Sequence, residues 1–414
     1  MNGGSVRHPY PVAVTGLGLV TAAGIGVREN WHQVTRFSAP SGVGHPEELQ
    51  GLPNDFMYLV TGDVANVFDA AERRLMDRFS QLAVLAAREA VDDAGLRPES
   101  WPKDRVAVIV GTANGGLPFQ GEQHRVLFER GPSRVSPMTA ALTAGNNGAA
   151  SVCRDLQATG PSFGINTTCA SGTDAIGIAR EFLRTGLCDI AVAGGTESSC
   201  SRLLAASMCK IKGLSTRRQS PNTACRPFDA SRDGFVLGEG AGMLVLERPE
   251  HARCRGAQVR AQIIGYGASN DAFAPVAPHP DAAGGERALR AAMADADVSG
   301  ADVDHVNAHG TSTVVNDILE GAMLHRVLGA HPLVTSTKGM TGHTLGAAGA
   351  IETVFAVLAM QHQLVPPTAN LETPDPQIPV EIVHKEARSA KLNCAAKTSL
   401  GFGGHNSALI ISRG

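Results

Sequence analysis

The segment GPSFGINTTCASG, at residues 160–172, constrains the fold of this chain more than any other stretch. It reads as a short apolar strand, a tight turn that carries Cys169, and the start of a helix that ends near Gly186. A thiol at a helix N-terminus meets unpaired backbone N–H groups and the positive end of the helix dipole. The pattern therefore predicts a reactive thiolate at Cys169, with a buried structural thiol as the alternative.

The same arrangement of strand, small-residue turn and helix recurs in the second half of the chain. His309 follows an apolar strand at 303–308, and His343 lies in the glycine-rich turn KGMTGHTLGAAGA before a helix. Apolar strands alternate with amphipathic helices along the chain, which predicts an α/β fold with mostly parallel sheets covered by helices. The recurrence suggests an internal duplication with its join near residues 249–256.

Composition and patterning disfavour several classes of protein. The 414 residues carry a net charge of -3, which gives no reason to expect a nucleic-acid partner. No segment reads as a membrane span, and the N-terminus lacks an apolar signal segment with a cleavage site. The eight cysteines are scattered without a C-x-x-C pair, so no metal site or redox dithiol is predicted. Free thiols in a chain of this size indicate the cytoplasm.

Six ordered motifs carry a family resemblance that covers nearly the whole chain. They are TTCASG, AGGTES, RPFDASRDGFVLGEGAG, NAHGTST, STKGMTGHTLGAAG and GFGG. Together they resemble the β-ketoacyl-acyl-carrier-protein synthases, the decarboxylating condensing enzymes of the thiolase superfamily. The Cys-His-His branch is the most similar, because a histidine stands at position 343. Thiolases are less similar, because their second catalytic cysteine lies in a glycine-rich turn that reads GFGGHN here.

The resemblance implies a thiolase-like five-layer α/β/α/β/α sandwich built from two duplicated halves. Residues 1–252 would form the half with the nucleophilic cysteine, and residues 253–414 the half with two catalytic histidines. The resemblance also implies a dimer, either a homodimer or a heterodimer with a ketosynthase-like subunit. The partner would be acyl carrier protein, whose phosphopantetheine carries the substrates, and no cofactor would be bound permanently.

The resemblance assigns the chemistry to four residues. Cys169 would take the acyl chain as a thioester, and the enolate formed when a malonyl thioester loses carbon dioxide would attack that thioester. His309 and His343 would stabilise the enolate as neutral N–H donors. The backbone N–H groups of Cys169 and Phe402 would form the oxyanion hole for the tetrahedral intermediate.

Four further residues match supporting positions of the family. Lys338 matches a lysine that orders the site, and Glu320 matches the acidic position thought to pair with it. An ordinary structural ion pair is the alternative for these two residues. Thr311 and Thr313 match the hydroxyl groups that hold the pantetheine arm.

Substrate choice and carrier docking rest on four more residues. Asn114, in GTANGGL, stands where fatty-acid enzymes commonly have an aliphatic residue in the acyl pocket. It would either favour a polar or unsaturated acyl chain or bond neighbouring groups of the protein. Arg73, Arg74 and Lys212 are the candidates for docking an acidic carrier protein, with a solvated surface as the alternative.

Three functions remain open on the sequence. The first is a condensing enzyme of fatty-acid or type II polyketide or polyene biosynthesis. The second is a non-catalytic chain-length-type subunit of a ketosynthase heterodimer, which typically lacks the active cysteine. The third is a related carrier-dependent acyltransferase, which would not need two histidines for decarboxylation.

Overall fold

A mixed β-sheet lies at the centre of the computed structural model, which describes residues 10–36, 40 and 42–414. The strands of three or more residues are β1 (Val12–Thr21), β2 (Val106–Gly111), β3 (Ser162–Ile165), β4 (Ile190–Ser198), β5 (Glu239–Glu247), β6 (Ala261–Asn270), β7 (His305–Asn307), β8 (Leu333–Thr335), β9 (Cys394–Gly401) and β10 (His405–Arg413). Two-residue strands lie at Gly24–Ile25, Val43–Gly44, Met57–Tyr58, Leu364–Val365 and Arg388–Ser389.

The two halves of the chain repeat one strand order. The N-terminal strands lie in the order β3-β2-β4-β5-β1, and the C-terminal strands lie in the order β8-β7-β9-β10-β6. Each series reads 3-2-4-5-1 when its strands are numbered within its own half. Strands β1 and β6 pair antiparallel through Val12–Val14 and Ala261–Ile263. This pairing joins the strands of the N-terminal half, the first sheet, to those of the C-terminal half, the second sheet, so that hydrogen bonding is continuous across both. The predicted duplication is therefore present in the topology, whereas the boundary at residue 252 stays a prediction.

The strand directions differ from the expectation of mostly parallel sheets. In each half the first three strands of the order run parallel, as β2 does with β3 and β4. The remaining pairs are antiparallel, as in β4 with β5 and β9 with β10. The tight GFGG turn between β9 and β10 can only make an antiparallel pair, since a parallel connection needs a long crossover.

Helices cover both faces of the two sheets. They are α1 (Val27–Arg36), α2 (Ala70–Arg74), α3 (Arg78–Asp93), α4 (Leu117–Arg130), α5 (Thr139–Thr143), α6 (Asn147–Leu156), α7 (Ser171–Arg184), α8 (Arg202–Lys210), α9 (Pro249–Cys254), α10 (Ala283–Ala296), α11 (Val314–Leu328), α12 (Lys338–Thr341) and α13 (Ala348–His362). Helices α7 and α13 share one apolar core with strands of both sheets. Helices α3 and α6 pack on the outer face of the first sheet, and α10 and α11 on that of the second. The result is the predicted five-layer sandwich.

The central helix α13 is buried on every side. All residues from 348 to 360 are buried, which explains why this helix has no polar face. The segment Leu345–His362 is apolar enough to cross a membrane by length and composition, with a mean hydropathy of 1.2, so the expectation that no such segment exists is wrong. Since 89% of it is buried inside the protein, its apolar character is explained by its place between the two sheets.

The apolar residues over 70–94 follow a helical spacing, which predicts one helix, but the structure interrupts it. It divides into α2 and α3 because Asp77 begins a new helix, its carboxylate accepting a hydrogen bond from the backbone N–H of Arg78. Asp69 caps α2 in the same way and forms a capping box with Glu72.

Candidate active site

The nucleophile turn joins β3 to α7, as the sequence predicted. Cys169 lies in a 3₁₀ turn at Thr168–Ala170, and its side chain is buried. Thr168 adopts a left-handed conformation with φ of 53°, which is unusual for a residue other than glycine. The hydroxyl group of Thr168 donates a hydrogen bond to the carbonyl oxygen of Phe402 at 2.9 Å, and this bond holds the turn against the C-terminal half.

The two histidines reach the same point from two different turns. His309 follows β7, and His343 follows α12 at Gly342, a glycine with φ of 68° that ends the helix. Both imidazoles are buried, and their ring centroids lie 5.3 Å apart at an angle of 80°. The sulfur of Cys169 and one nitrogen of each imidazole lie within 4.8 Å of one another. The structure thus brings the three predicted catalytic side chains together.

Neighbouring donors set the tautomer of each imidazole. The backbone N–H of Leu345 donates to Nδ1 of His343 at 3.3 Å. The ammonium group of Lys338 lies 3.5 Å from Nδ1 of His309 and also donates to the carbonyl oxygen of that residue. With both Nδ1 atoms acting as acceptors, the proton of each neutral ring resides on Nε2. Each imidazole is therefore an N–H donor at Nε2, which suits the stabilisation of a developing anion better than metal ligation.

Burial controls the protonation of the three reactive side chains. The pKa values of His309 and His343 lie well below their usual range, first because of burial and second because of the Lys338 ammonium. Burial also raises the pKa of Cys169 to about 12, although Lys338 and the backbone N–H of Phe402 lower it. Desolvation thus opposes ionisation of the thiol in the resting site, and a thiolate at Cys169 stays a prediction.

A buried ion-pair network lies behind the histidines. Lys338 pairs with Glu352 of α13, and Lys397 of β9 approaches the other carboxylate oxygen of Glu352 at 2.8 Å. The predicted pairing of Lys338 with Glu320 is wrong. Glu320 instead accepts the backbone N–H groups of His309 at 2.8 Å and Gly310 at 2.7 Å, so it fixes the turn that carries the histidine.

Sequence reasoning missed Glu352 and Lys397. Glu352 is the single acidic residue in the apolar segment AGAIETVFAVLAM, and Lys397 is the single charge in the strand CAAKTSLG. A lone charge within a buried element must be paired, because an unpaired charge is costly to bury. That rule would have marked both residues as partners of another buried charge.

The candidate oxyanion hole is formed by two turns from different halves. The backbone N–H of Phe402 lowers the pKa of Cys169, which indicates that this donor lies beside the sulfur. Gly401 makes the approach feasible, because a Cβ atom there would lie 2.4 Å from the hydroxyl oxygen of Thr168. The backbone N–H of Cys169 is the second predicted donor.

A cavity of about 450 Å³ leads from the surface to Cys169, His309 and His343. Thr311 and Thr313 line it, and their hydroxyl groups lie 2.9 Å apart. Apolar side chains form much of the remaining wall and mouth: Ile211, Phe235, Val276, Val314, Val315 and Leu400. The cavity is therefore a largely apolar passage with a pair of hydroxyl groups along it.

The predicted docking residues differ in their surroundings. Lys212 is exposed at the cavity mouth, and Arg74 is exposed on α2. The guanidinium group of Arg73 instead donates to the carbonyl oxygens of Ala65 at 3.2 Å and Phe68 at 3.1 Å. These bonds leave Arg73 less able to meet a partner than the other two residues.

Asn114 finds a partner that the sequence did not suggest. Its amide nitrogen donates to the hydroxyl oxygen of Ser199 at 3.1 Å, and that hydroxyl donates to Glu197 at 2.9 Å. Within the described residues, Asn114 is not part of the wall of the cavity above Cys169. The neighbouring Ala113 packs in the apolar cluster that includes Cys169. A role for Asn114 in substrate choice stays a prediction.

Comparison with known proteins agrees with this geometry. Residues 10–252 match the family described as Beta-ketoacyl synthase, N-terminal domain, and residues 260–372 match Beta-ketoacyl synthase, C-terminal domain. The chain belongs to the β-ketoacyl synthase family. It is 39% identical over 411 residues to 3-oxoacyl-[acyl-carrier-protein] synthase 2 of Staphylococcus aureus (strain COL), covering 97% of this chain and 98% of that protein.

Two solved structures show the same fold along nearly the whole chain. The ishigamide ketosynthase/chain length factor has a TM-score of 0.90 and 32% identity, covering 98% of this chain and 100% of that one. A ketosynthase in complex with its type II polyketide synthase acyl-carrier protein, bound to the hexaketide, has a TM-score of 0.89 and 32% identity, with the same two coverages. The likeness extends through both halves of the chain.

Proposed function

We propose that this chain catalyses the decarboxylative condensation of a malonyl thioester with an acyl chain held on Cys169. The observation that carries this proposal is the convergence of one buried thiol and two Nε2–H imidazole donors on a single cavity. The product is a 3-oxoacyl thioester two carbons longer than the acyl chain, together with carbon dioxide.

The first half-reaction transfers the acyl group to sulfur. Cys169 attacks the incoming thioester carbonyl, its S–C bond forms, and the carrier thiol leaves with the proton that Cys169 gives up. The oxyanion of the tetrahedral intermediate accepts the N–H groups of Cys169 and Phe402. Because burial raises the pKa of the Cys169 thiol to about 12, proton loss must accompany the attack rather than precede it.

The second half-reaction uses the imidazoles. Loss of carbon dioxide from the malonyl group leaves an enolate whose oxygen accepts the Nε2–H groups of His309 and His343. Two neutral donors suit this step, since the low pKa values of both imidazoles keep them uncharged near pH 7. The enolate carbon then attacks the acyl carbonyl on Cys169 and the thiol is released.

The proposed substrates arrive on the phosphopantetheine of an acyl carrier protein. The similar Staphylococcus aureus protein is named for an acyl-carrier-protein substrate, and one similar ketosynthase is in complex with its acyl-carrier protein. The cavity suits an extended arm, and Thr311 and Thr313, which line it, would bond the amide groups of that arm. Whether the pathway makes fatty acids or type II polyketides is left open by these relatives, since both kinds are similar to the chain.

The proposed assembly is a dimer formed through the edge of the N-terminal sheet. Strand β3 ends the sheet order, and among the described residues it pairs only with β2. Phe163 on this edge is 49% exposed, and Phe128 of α4 is 84% exposed. A free, partly apolar edge strand is a ready template for pairing with another chain. The partner would be a second copy or a ketosynthase-like subunit, and the cytoplasm is the proposed compartment because all eight cysteines are free.

The alternatives are less well supported by the site. A chain-length-type subunit would not need Cys169, His309 and His343, and a transferase that does not decarboxylate would not need two converging imidazoles. A product assay with acyl- and malonyl-carrier protein separates the three functions. We expect carbon dioxide and an extended chain from the wild type and neither extended chain nor acyl-enzyme from Cys169→Ala. Transfer without carbon dioxide would indicate the acyltransferase, and activity only with an added ketosynthase would indicate the partner subunit.

A further inference from the structure

A buried carboxylate on α7 bridges the two halves directly behind the nucleophile turn. Asp174 lies in the first turn of the helix and is only 5% exposed. One of its oxygens accepts the hydroxyl group of Thr167 at 2.5 Å, and the other accepts the hydroxyl group of Tyr266 at 2.9 Å. Thr167 precedes the nucleophile turn, whereas Tyr266 belongs to β6 of the C-terminal half.

The contact with Tyr266 depends on a glycine of the same helix. A Cβ atom on Gly177 would lie 2.3 Å from the tyrosine ring, so only a glycine lets the ring lie flat against α7. That placement brings the hydroxyl group to Asp174. Burial raises the pKa of Asp174, while the hydroxyl groups of Thr167 and Tyr266 lower it by bonding to the carboxylate. Gly177 therefore allows the hydrogen bond between the Tyr266 hydroxyl group and the Asp174 carboxylate.

Hydrogen bonds rather than packing hold this region in place. A cavity of about 310 Å³ is lined by Thr167, Asp174, Tyr266 and His405. Since side chains do not fill this space, packing alone does not fix the position of Thr167. Hydrogen bonds restrain it instead: its hydroxyl group donates to Asp174, and its backbone N–H donates to the hydroxyl oxygen of Ser171 at 2.9 Å.

A displacement of Thr167 would also displace the backbone N–H groups of the candidate oxyanion hole, because hydrogen bonds link Thr167 to the turn that carries Cys169. The carbonyl oxygen of Thr167 accepts the hydroxyl group of Thr168 at 2.7 Å and the backbone N–H of Ala170 at 3.1 Å. The same Thr168 hydroxyl contacts the carbonyl oxygen of Phe402. The turn that carries the Cys169 N–H is therefore linked on one side to Phe402 and on the other to Asp174.

We propose that Asp174 is a positioning residue, which holds the Thr167 turn against the C-terminal half so that the N–H groups of Cys169 and Phe402 aim at one point. It touches neither substrate nor sulfur and acts through Thr167. The inference rests on the proposed acylation of Cys169 and adds a residue to it.

The test compares two reactions of the same sulfur. Acyl transfer from an acyl-pantetheine thioester passes through an oxyanion, whereas alkylation by iodoacetamide does not. We expect Asp174→Asn and Thr167→Val to slow acylation by about tenfold or more, the lower part of the range for oxyanion-hole losses. Alkylation of Cys169 should stay within about twofold of the wild-type rate. Tyr266→Phe should act in the same direction, since it frees the carboxylate from the C-terminal half.

A double-mutant cycle separates positioning from general damage. If Asp174 acts through Thr167, Asp174→Asn combined with Thr167→Val should be no slower than the slower single variant. Asp295→Asn is the control, because Asp295 accepts the backbone N–H of Tyr266 at 3.1 Å and pairs with Arg180 of α7 at 2.8 Å, but has no bond to the nucleophile turn. It should leave acylation near the wild-type rate.

Three results would overturn the proposal: normal acylation in Asp174→Asn, equal losses of acylation and alkylation, or additive losses in the cycle. A wild-type chain that never forms an acyl-enzyme would instead overturn the proposed function, so the two failures are distinguishable.

Discussion

The two halves of the molecule place their chemistry at equivalent positions of one strand order. After the second strand of each half comes the turn with Asn114 in the N-terminal half and the turn with His309 in the C-terminal half. After the third strand comes Cys169 in one half and His343 in the other. The shared strand order therefore explains why residues far apart in sequence, such as Cys169 and His343, lie close together. The side chain carried by each turn determines the chemistry available at that turn.

The surroundings of these turns also differ between the halves. Behind the histidines lie two buried ammonium groups, Lys338 and Lys397, with a shared carboxylate on Glu352. Behind Asn114 lies the carboxylate of Glu197, whose pKa is raised to about 7 by burial. Burial, followed by the positive charge of Lys338 and Lys397, lowers the pKa values of both imidazoles and keeps them neutral. In the proposed reaction, the C-terminal half therefore supplies N–H donors while the N-terminal half supplies the nucleophile.

The largest expected effect on stability comes from removing the carboxylate that pairs with Lys338. Glu352→Gln would leave two buried ammonium groups without a counter-ion and should lower the free energy of unfolding by about 3–5 kcal/mol. Glu320→Gln removes an acceptor of two backbone N–H groups and should cost about 1–3 kcal/mol. Denaturant unfolding of both variants measures the difference. A larger loss in Glu320→Gln would contradict the observed pairing.

The division of labour between the halves predicts a kinetic split. His309→Ala and His343→Ala should lower condensation by about a hundredfold or more, because each removes an enolate donor. Acylation of Cys169 should stay substantially intact in both, as seen by mass measurement of the acyl-enzyme. Near-normal chain extension in either variant would show that its imidazole does not stabilise the enolate.

The low pKa values of the two histidines predict a loss of stability in acid. The folded state binds fewer protons than the unfolded chain, so stability is fully present above the unfolded pKa of about 6.5 and falls below it. At pH 5.5 each buried histidine should cost about 1.4 kcal/mol relative to pH 7.5. Replacing His343 by Gln should remove one such contribution from the pH dependence of unfolding. An unchanged pH dependence would mean that His343 protonates freely in the folded state.

The smallest expected effect concerns the surface. Lys212→Glu and Arg74→Glu should raise the KM for carrier-bound substrate several-fold at low salt, with less effect at high salt. A small acyl-pantetheine mimic should be used almost normally. Arg73→Glu should behave differently from these two variants. Because Arg73 donates hydrogen bonds to backbone carbonyl oxygens, its loss should lower the stability of the fold rather than raise the KM. Equal damage to both substrates by Lys212→Glu would argue against docking at the mouth.

The family resemblance of the six motifs implied the five-layer fold and the meeting of Cys169, His309 and His343, whereas local patterns alone predicted the strand, turn and helix around each residue. Each reactive residue lies between a strand and a helix in a turn of small residues, and such turns collect at one edge of a sheet. The relative direction of the strands could not be predicted from these patterns, and the antiparallel pairs of each sheet were missed. The break near Asp77 was missed because the apolar pattern continues across it.

Energetic details that depend on burial were not accessible from the sequence. Two carboxylates, Glu320 and Glu352, were candidates for an ion pair with Lys338. The packing of α13, which carries Glu352, determines that Lys338 pairs with Glu352. The pKa of Cys169 depends first on desolvation, which motif spacing does not report. The partner of Asn114 is Ser199, 85 residues along the chain, a contact that no local pattern indicates.

The most direct test of the account is to measure carbon dioxide release and acyl-enzyme formation in Cys169→Ala and His343→Ala with the same malonyl- and acyl-carrier substrates. If the halves divide the reaction, Cys169→Ala should still release carbon dioxide from the malonyl thioester but form no acyl-enzyme. His343→Ala should show the reverse: an acyl-enzyme on Cys169 with carbon dioxide release lowered by about a hundredfold. Loss of both steps in both variants would contradict the division of labour between the two halves.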